Sequence, residues 1–187
     1  MRQQSEIYNS LVCLNNKEVI LYPTDTVWGI GCDATNKQAV SKIYKIKNRS
    51  ESKSLVILVS SMNMLQKYVK VTSSLKKLIQ SSTQPTTIIY QNPKGLASNV
   101  IALDTTVAIR IVQDDFCRKL IKKFGKPIVS TSANVSGNST PISFKEIEPV
   151  ILESVDYVVN LHQNRINKKS SRIIKLEGDG SIKTIRD

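Results

Sequence analysis

The chain offers little sulfur or imidazole chemistry. Its 187 residues hold three cysteines and one histidine. Cys13, Cys32 and Cys117 are far apart and form no Cys-x-x-Cys, which excludes the usual zinc spacings and a disulfide framework. Cys13 and Cys117 fall among apolar residues on predicted helices and read as buried, inert thiols. A Ser-His-Asp or Cys-His hydrolase would have to be built on His162, and the residues around it suggest a surface position. No apolar run approaches the roughly 20 residues that span a bilayer, and the polar stretch Met1–Ser10 lacks the apolar centre of a signal peptide. A soluble, cytoplasmic protein without a membrane partner is expected. Aromatic residues make up 5% and are not interleaved with the basic ones, which argues against a platform that stacks bases. There is no Gly-x4-Gly-Lys-Ser/Thr phosphate loop.

What is present fits one folded domain over 1–187. Hydrophobic residues make up 40% and charged residues 22%, enough for a sizeable core. Lys and Arg total 27 against 15 Asp and Glu, a formal charge of +12. Such a surface favours polyanions, whether nucleic acid, nucleotide or phosphate. A merely soluble basic surface is the plainer reading of the same number.

Strand and helix patterns alternate. A helix is expected over 6–16, with Ile7, Leu11 and Leu14 on one face. Strand-like runs follow at 18–22, ended by Pro23, and at 27–33. Asn36 can cap a helix whose inner stripe is Ala39, Val40, Ile43 and Tyr44. Leu55–Val59 reads as a central strand buried on both faces. Helical patterns at 61–69 and 72–82 precede β-branched strands at 86–90 and 106–112, with 91–104 a loop. Asp114 and Asp115 open a helix ending in Lys119, Lys122 and Lys123, in line with the helix dipole. Gly125 and Pro127 stop it. After a strand at 128–131, Ser143 is expected to cap a helix bearing Phe144, Ile147 and Ile151. Strands at 155–161, 172–176 and 182–185 close the chain. The sum is an α/β fold: a single-domain, twisted, mostly mixed sheet flanked by helices.

Four polar segments stand at the ends of apolar strands, where open α/β sheets bind ligands. The first, Tyr22-Pro-Thr-Asp-Thr-Val-Trp-Gly-Ile-Gly-Cys-Asp-Ala34, places two threonines and an aspartate between two strands. Its Gly29-x-Gly31-x-x-Ala34 mimics a dinucleotide fingerprint but sits inside a strand, so an NAD-dependent oxidoreductase is discounted. The second, Lys45-Ile-Lys47-Asn-Arg49-Ser-Glu-Ser-Lys53, reads either as a clamp for phosphates and carboxylates or as a solvated helix end. If this segment is extended, Lys47 and Arg49 share one face. The third places Arg110 among apolar strand residues, as a carboxylate-binding cation or an exposed strand charge. The fourth, Ser130-Thr-Ser132-Ala-Asn134-Val-Ser-Gly-Asn-Ser-Thr140, is either an ordinary capping loop or a set of uncharged hydrogen-bonding groups for phosphate, ribose or an amino acid.

Together these segments resemble the YrdC/TsaC family of threonylcarbamoyl-AMP synthases. Pro23-Thr-Asp-Thr-Val-Trp-Gly-Ile-Gly31 is similar to that family's Pro-Thr-Glu-Thr-Val-Tyr-Gly-Leu-Gly. Lys47-Asn-Arg49 matches its Lys-x-Arg, and Ser132-Ala-Asn134 its Ser-x-Asn. The likeness runs in order over about residues 5–187, leaving no length for the C-terminal domain of longer members. Ser50, Gln84-Pro85, Leu58 and Ser171-Arg172 depart from the family pattern.

The resemblance implies a sheet with a basic concave cavity. The implied reaction joins L-threonine, bicarbonate and ATP, with Mg²⁺ carried by the ATP and no metal held by protein ligands. The product, threonylcarbamoyl-AMP, would pass to tRNA-modifying partner proteins, and double-stranded RNA or tRNA is a possible further partner. By position, Lys47, Arg49, Lys53, Thr106, Ser132, Asn134, Thr140 and Arg186 would contact ATP, with Lys47, Arg49, Ser132 and Asn134 as the catalytic set. Thr24, Arg110, Ser130 and Ser171 would hold threonine. Asp25 stands at an acidic family position, either as a structural cap or in a catalytic role. The rival class is a non-catalytic module that binds double-stranded RNA through the basic cavity.

Overall fold

The computed structural model describes residues 2–51, 54–167, 169–177 and 181–187. Among them are nine strands in one mixed sheet: β1 (Ile20–Tyr22), β2 (Gly29–Gly31), β3 (Val56–Val59), β4 (Thr86–Gln91), β5 (Thr106–Ile111), β6 (Ile128–Ser132), β7 (Tyr157–Val158), β8 (Arg172–Leu176) and β9 (Ile182–Arg186). Their spatial order is β7-β1-β2-β6-β3-β5-β4-β8-β9. The pairs β7–β1, β3–β5 and β4–β8 are parallel and the others antiparallel. The helices are α1 (Arg2–Asn15), α2 (Lys37–Ile46), α3 (Met62–Tyr68), α4 (Ser73–Ser81), α5 (Asp115–Phe124) and α6 (Pro149–Ser154). None of them is long and apolar enough to cross a membrane.

The expected caps form. Asn36 accepts from the Ala39 amide at the start of α2, and the stripe Ala39, Val40, Ile43 and Tyr44 is buried. Asp114 accepts from the Cys117 amide, and α5 ends on Gly125 at φ 77°, a left-handed conformation that glycine adopts without steric cost. The strand ending in Val59 is central, between β5 and β6. The three cysteines are buried. Burial pushes the Cys13 thiol up to about 11 and raises Cys32 and Cys117 further, so all three are inert toward nucleophilic chemistry near neutral pH.

Two expectations are corrected. The helix capped by Ser143 does not form. Residues 144–146 make a single 3₁₀ turn, and α6 starts separately at Pro149. Pro149 lacks the amide needed to continue a helix from upstream, whereas the first helical position tolerates it. The strand expected over 155–161 is ladder-paired only at Tyr157 and Val158, against the equally short β1.

Gly29 and Gly31 lie within β2, so no strand-to-helix turn exists there for a dinucleotide. Gly31 is required by packing: a Cβ at this position would press on the Val129 carbonyl and come within 2.6 Å of the Tyr22 ring. The Tyr22 hydroxyl bonds to that same carbonyl at 3.0 Å, locking β1, β2 and β6 together.

Candidate active site

The end of α2 sets the site's geometry. Lys47 is the C-cap, and Asn48 follows at φ 47°. The Asn48 amide donates to the Lys45 carbonyl and the Arg49 amide to the Tyr44 carbonyl. This is a Schellman turn, with Asn in the left-handed position that it tolerates better than most residues. The segment is therefore not extended, and Lys47 and Arg49 diverge instead of sharing a face. Lys47 turns inward to 1% exposure. Its ammonium donates to the carbonyls of Ser132 and Asn134. Arg49 donates to the Ser54 carbonyl at 2.9 Å.

Arg49 and Ser54 reach a cavity of about 240 Å³ that opens over the sheet. Its walls come from separate stretches of chain: Thr26–Gly29, Arg49, Ser54–Val56, Arg110 on β5, Ser130–Ser132 on β6, Thr140, and Ser170, Ser171, Ile173 and Arg186 from the β8–β9 end. Three arginines and many hydroxyls line it, and among the described residues no aspartate or glutamate does.

Each arginine is anchored. Arg110 is 3% exposed, and its Nη1 lies 2.7 Å from Asp25 Oδ1. Its Nη2 donates to Thr26 Oγ1 at 3.3 Å. Arg186 donates through Nε and Nη2 to the Ser171 carbonyl. Burial, then the nearby Arg110 charge, lowers the Arg186 guanidinium from its usual range. The Ser171 hydroxyl shares a hydrogen bond with Thr87 at 2.8 Å. Burial, then the Arg49 charge, pulls the Lys47 ammonium down to about 8.

Of the residues singled out by sequence, Arg49, Arg110, Ser130, Ser132, Thr140, Ser171 and Arg186 line the cavity together. Lys47, Thr24, Thr106 and Asn134 do not. Thr24 is buried, with its hydroxyl donating to the Val27 carbonyl and bonded to Thr26, so it shapes the loop before β2. Thr106 donates its hydroxyl to Asp104 at 2.7 Å, a local turn contact. The Asn134 amide is wrapped by the carbonyls of Val135 and Asn138, while its buried side-chain oxygen has no partner among the described residues. Lys53 lies outside the described residues. Asp25 has both oxygens engaged, Oδ1 by Arg110 and Oδ2 by the Gln113 amide at 3.0 Å, and this favours the structural reading over a free base.

Sequence reasoning missed Thr26 and Trp28. Thr26 follows Thr24 by two residues in the same polar stretch, and that spacing was a usable signal. Trp28 gave none. It is 1% exposed yet sits on the wall, with its ring 4.9 Å from Phe144.

The model of the Sua5/YciO/YrdC family, described as telomere recombination, matches residues 12–187. The chain belongs to that family. A Sua5/YciO/YrdC relative, the threonylcarbamoyl-AMP synthase of Pseudoalteromonas translucida, is 37% identical over 165 residues, 86% of this chain and 88% of its own. The fold matches E. coli YciO with a TM-score of 0.86 at 22% identity, over 99% of this chain and 89% of that one. It also matches P. abyssi Sua5 complexed with L-threonine, with a TM-score of 0.83 at 23% identity, over 91% of this chain but only half of the longer Sua5 chain.

Proposed function

We propose that this chain is a threonylcarbamoyl-AMP synthase. The observation that carries the reading is the cavity itself. Arg49, Arg110 and Arg186 converge on one volume with hydroxyls between them and, among the described residues, no carboxylate on its wall. Such a site suits a ligand set that is anionic throughout. Family membership and the names of the relatives support the same reading, as does the threonine complex of P. abyssi Sua5, a fold match.

The chemistry follows from charge. The threonine amine attacks bicarbonate and, with loss of water, gives a carbamate. A carbamate oxygen attacks the α-phosphorus of ATP, the bond to the β-phosphate oxygen breaks, and pyrophosphate leaves. This transfer of AMP makes the enzyme a nucleotidyltransferase. Nucleophile, leaving group and substrate carboxylate are all negative, so the protein's task is to neutralise and align them. Arg49, Arg186, Ser132 and Thr140 would face the phosphates. Arg110, with Ser130 and Ser171, would face threonine. Lys47 and Asn134 would act from behind the wall by fixing the loop that carries Ser132, and Thr24 by fixing the loop that carries Thr26. Mg²⁺ would arrive with ATP, to a wall that among the described residues offers it hydroxyls. Among the described residues no cluster of His, Cys, Asp or Glu could hold a metal. The product would be handed to tRNA-modifying proteins.

The test is pyrophosphate release from ATP, with mass spectrometry of the product. Release should require both L-threonine and bicarbonate. Serine should be poorer by about 1 kcal/mol, the burial of one methyl group. Pyrophosphate release that ignores threonine overturns the assignment. Tight, steeply salt-dependent RNA binding with no turnover would favour the RNA-binding module instead.

A further inference from the structure

We infer that Asp25 is a positioning residue, holding the Arg110 guanidinium so that its Nε edge receives the substrate carboxylate. This deepens the function proposed above and rests on it. Arg110 has three edges, and their partners differ. Nη1 is held by Asp25 Oδ1 at 2.7 Å. Nη2 reaches Thr26 Oγ1 at 3.3 Å. Nε is buried and has no partner among the described residues.

The clamp is braced from behind. Asp25 Oδ2 accepts the Gln113 amide at 3.0 Å, two residues past the end of β5. Thr26 Oγ1 is in turn bonded to Thr24 Oγ1 at 3.0 Å. The guanidinium plane is thus fixed by the loop before β2 on one side and by its own strand on the other. A carboxylate is taken best by two parallel N–H groups of a guanidinium. With Nη1 occupied, the remaining parallel pair is Nε–H and the Nη2–H beside it. An unpaired buried donor is costly, and a carboxylate arriving in the cavity would satisfy it.

Each Asp25 oxygen is already engaged, Oδ1 by Arg110 and Oδ2 by the Gln113 amide, which fits a brace for the guanidinium. The pairing also explains how a cation can be kept 3% exposed near Arg186 without a ligand. Asp25 supplies the counter-charge yet leaves the Nε–H without a partner among the described residues.

The experiment compares the wild type with Asp25→Asn and Asp25→Ala by steady-state pyrophosphate release. Affinities for L-threonine and for L-threonine amide, which lacks the carboxylate, are measured alongside, and melting temperatures establish that each variant is folded. Asp25→Asn keeps the acceptor for Arg110 but removes the charge and sets an amide group against the Gln113 N–H, so it serves if Asp25→Ala does not fold. The expected result is a KM for threonine raised at least about tenfold, a KM for ATP within about twofold, and an almost unchanged affinity for the amide. A folded variant with unchanged threonine KM overturns the inference. So does an equal loss for threonine and its amide, or for threonine and ATP, because a general loosening of the fold would do that. A wild type without threonine-dependent pyrophosphate release overturns the proposed function, and it is read before any variant is compared.

Discussion

The ammonium of Lys47 lies 2.6 Å from the carbonyl oxygen of Asn134 and also bonds that of Ser132. One side chain therefore ties the end of α2 to the loop leaving β6. Two neutral carbonyls receive the charge, and among the described residues no carboxylate pairs with it. Desolvation opposes the ammonium, while the loop carbonyls require a donor.

Lys47→Ala should therefore cost stability as well as activity. A solvated helix-end lysine would contribute about 1 kcal/mol or less. Here the Asn134 carbonyl loses its Lys47 donor and, among the described residues, the Ser132 carbonyl keeps only the Asn134 amide, a loss of roughly 2 kcal/mol after relief of the buried charge. The melting temperature should fall by about 6 °C for a chain of this size. Differential scanning calorimetry checks this, and an unchanged melting temperature would contradict the buried tie.

The lowered Lys47 also gives opposite pH trends for stability and activity. Its usual value is 10.5 and the folded value is about 8. Between these values the unfolded chain binds more protons than the folded one, so this group's contribution to stability rises with pH across that window. Below about pH 8 the cost of the buried charge is fully present. Activity runs the other way, because loss of the positive charge weakens the field at the phosphates. The value of kcat/KM for ATP should fall above about pH 8. Lys47→Arg keeps its charge and should lose that alkaline limb. Rate profiles of both proteins up to about pH 9.5 test it, and a limb retained in the variant would assign the titration elsewhere.

The elements were legible where the signal was local. Asn36 and Gly125 announce helix ends through side-chain capping and left-handed backbone, and the apolar stripe of α2 is complete in the sequence. The direction of Lys47 was not legible. It depends on a Schellman turn at Asn48 and on carbonyls 85 and 87 residues away. Reading that segment as extended put Lys47 and Arg49 on one face, whereas the turn separates them. Thr106 could have been read differently, since an aspartate two residues earlier is a common local acceptor. The site's membership as a whole depends on distant stretches of chain meeting, which no single window of sequence contains.

Gly31→Ala tests the packing between β1, β2 and β6. The new Cβ would lie 2.6 Å from the Tyr22 ring and press on the Val129 carbonyl. Strand backbone cannot yield as a flexible side chain would, so the substitution should destabilise by roughly 1–3 kcal/mol. Chemical denaturation measures this. A neutral result would mean that the sheet shifts easily here, and activity would then be the more sensitive reporter, because Gly29 on the same strand forms part of the cavity wall.

Arg110 and Asp25 should show strong energetic coupling. Both are nearly buried, at 3% and 10% side-chain exposure. Arg110→Ala leaves the Asp25 carboxylate with only the Gln113 amide, and breaking a buried pair from one side costs roughly 3–5 kcal/mol. Much of that loss comes from the stranded charge, not from the absent bond. The double variant Arg110→Ala/Asp25→Ala removes both charges and should be more stable than the sum of the single losses implies, by roughly 2 kcal/mol. Threonine-dependent turnover should remain lost in the double variant, because restored stability does not restore a cation for the carboxylate. Urea denaturation of the four proteins completes the cycle. Additive losses would show that the pair is energetically independent despite its 2.7 Å contact. The brace attributed to Asp25 would then have to act through the Gln113 amide alone.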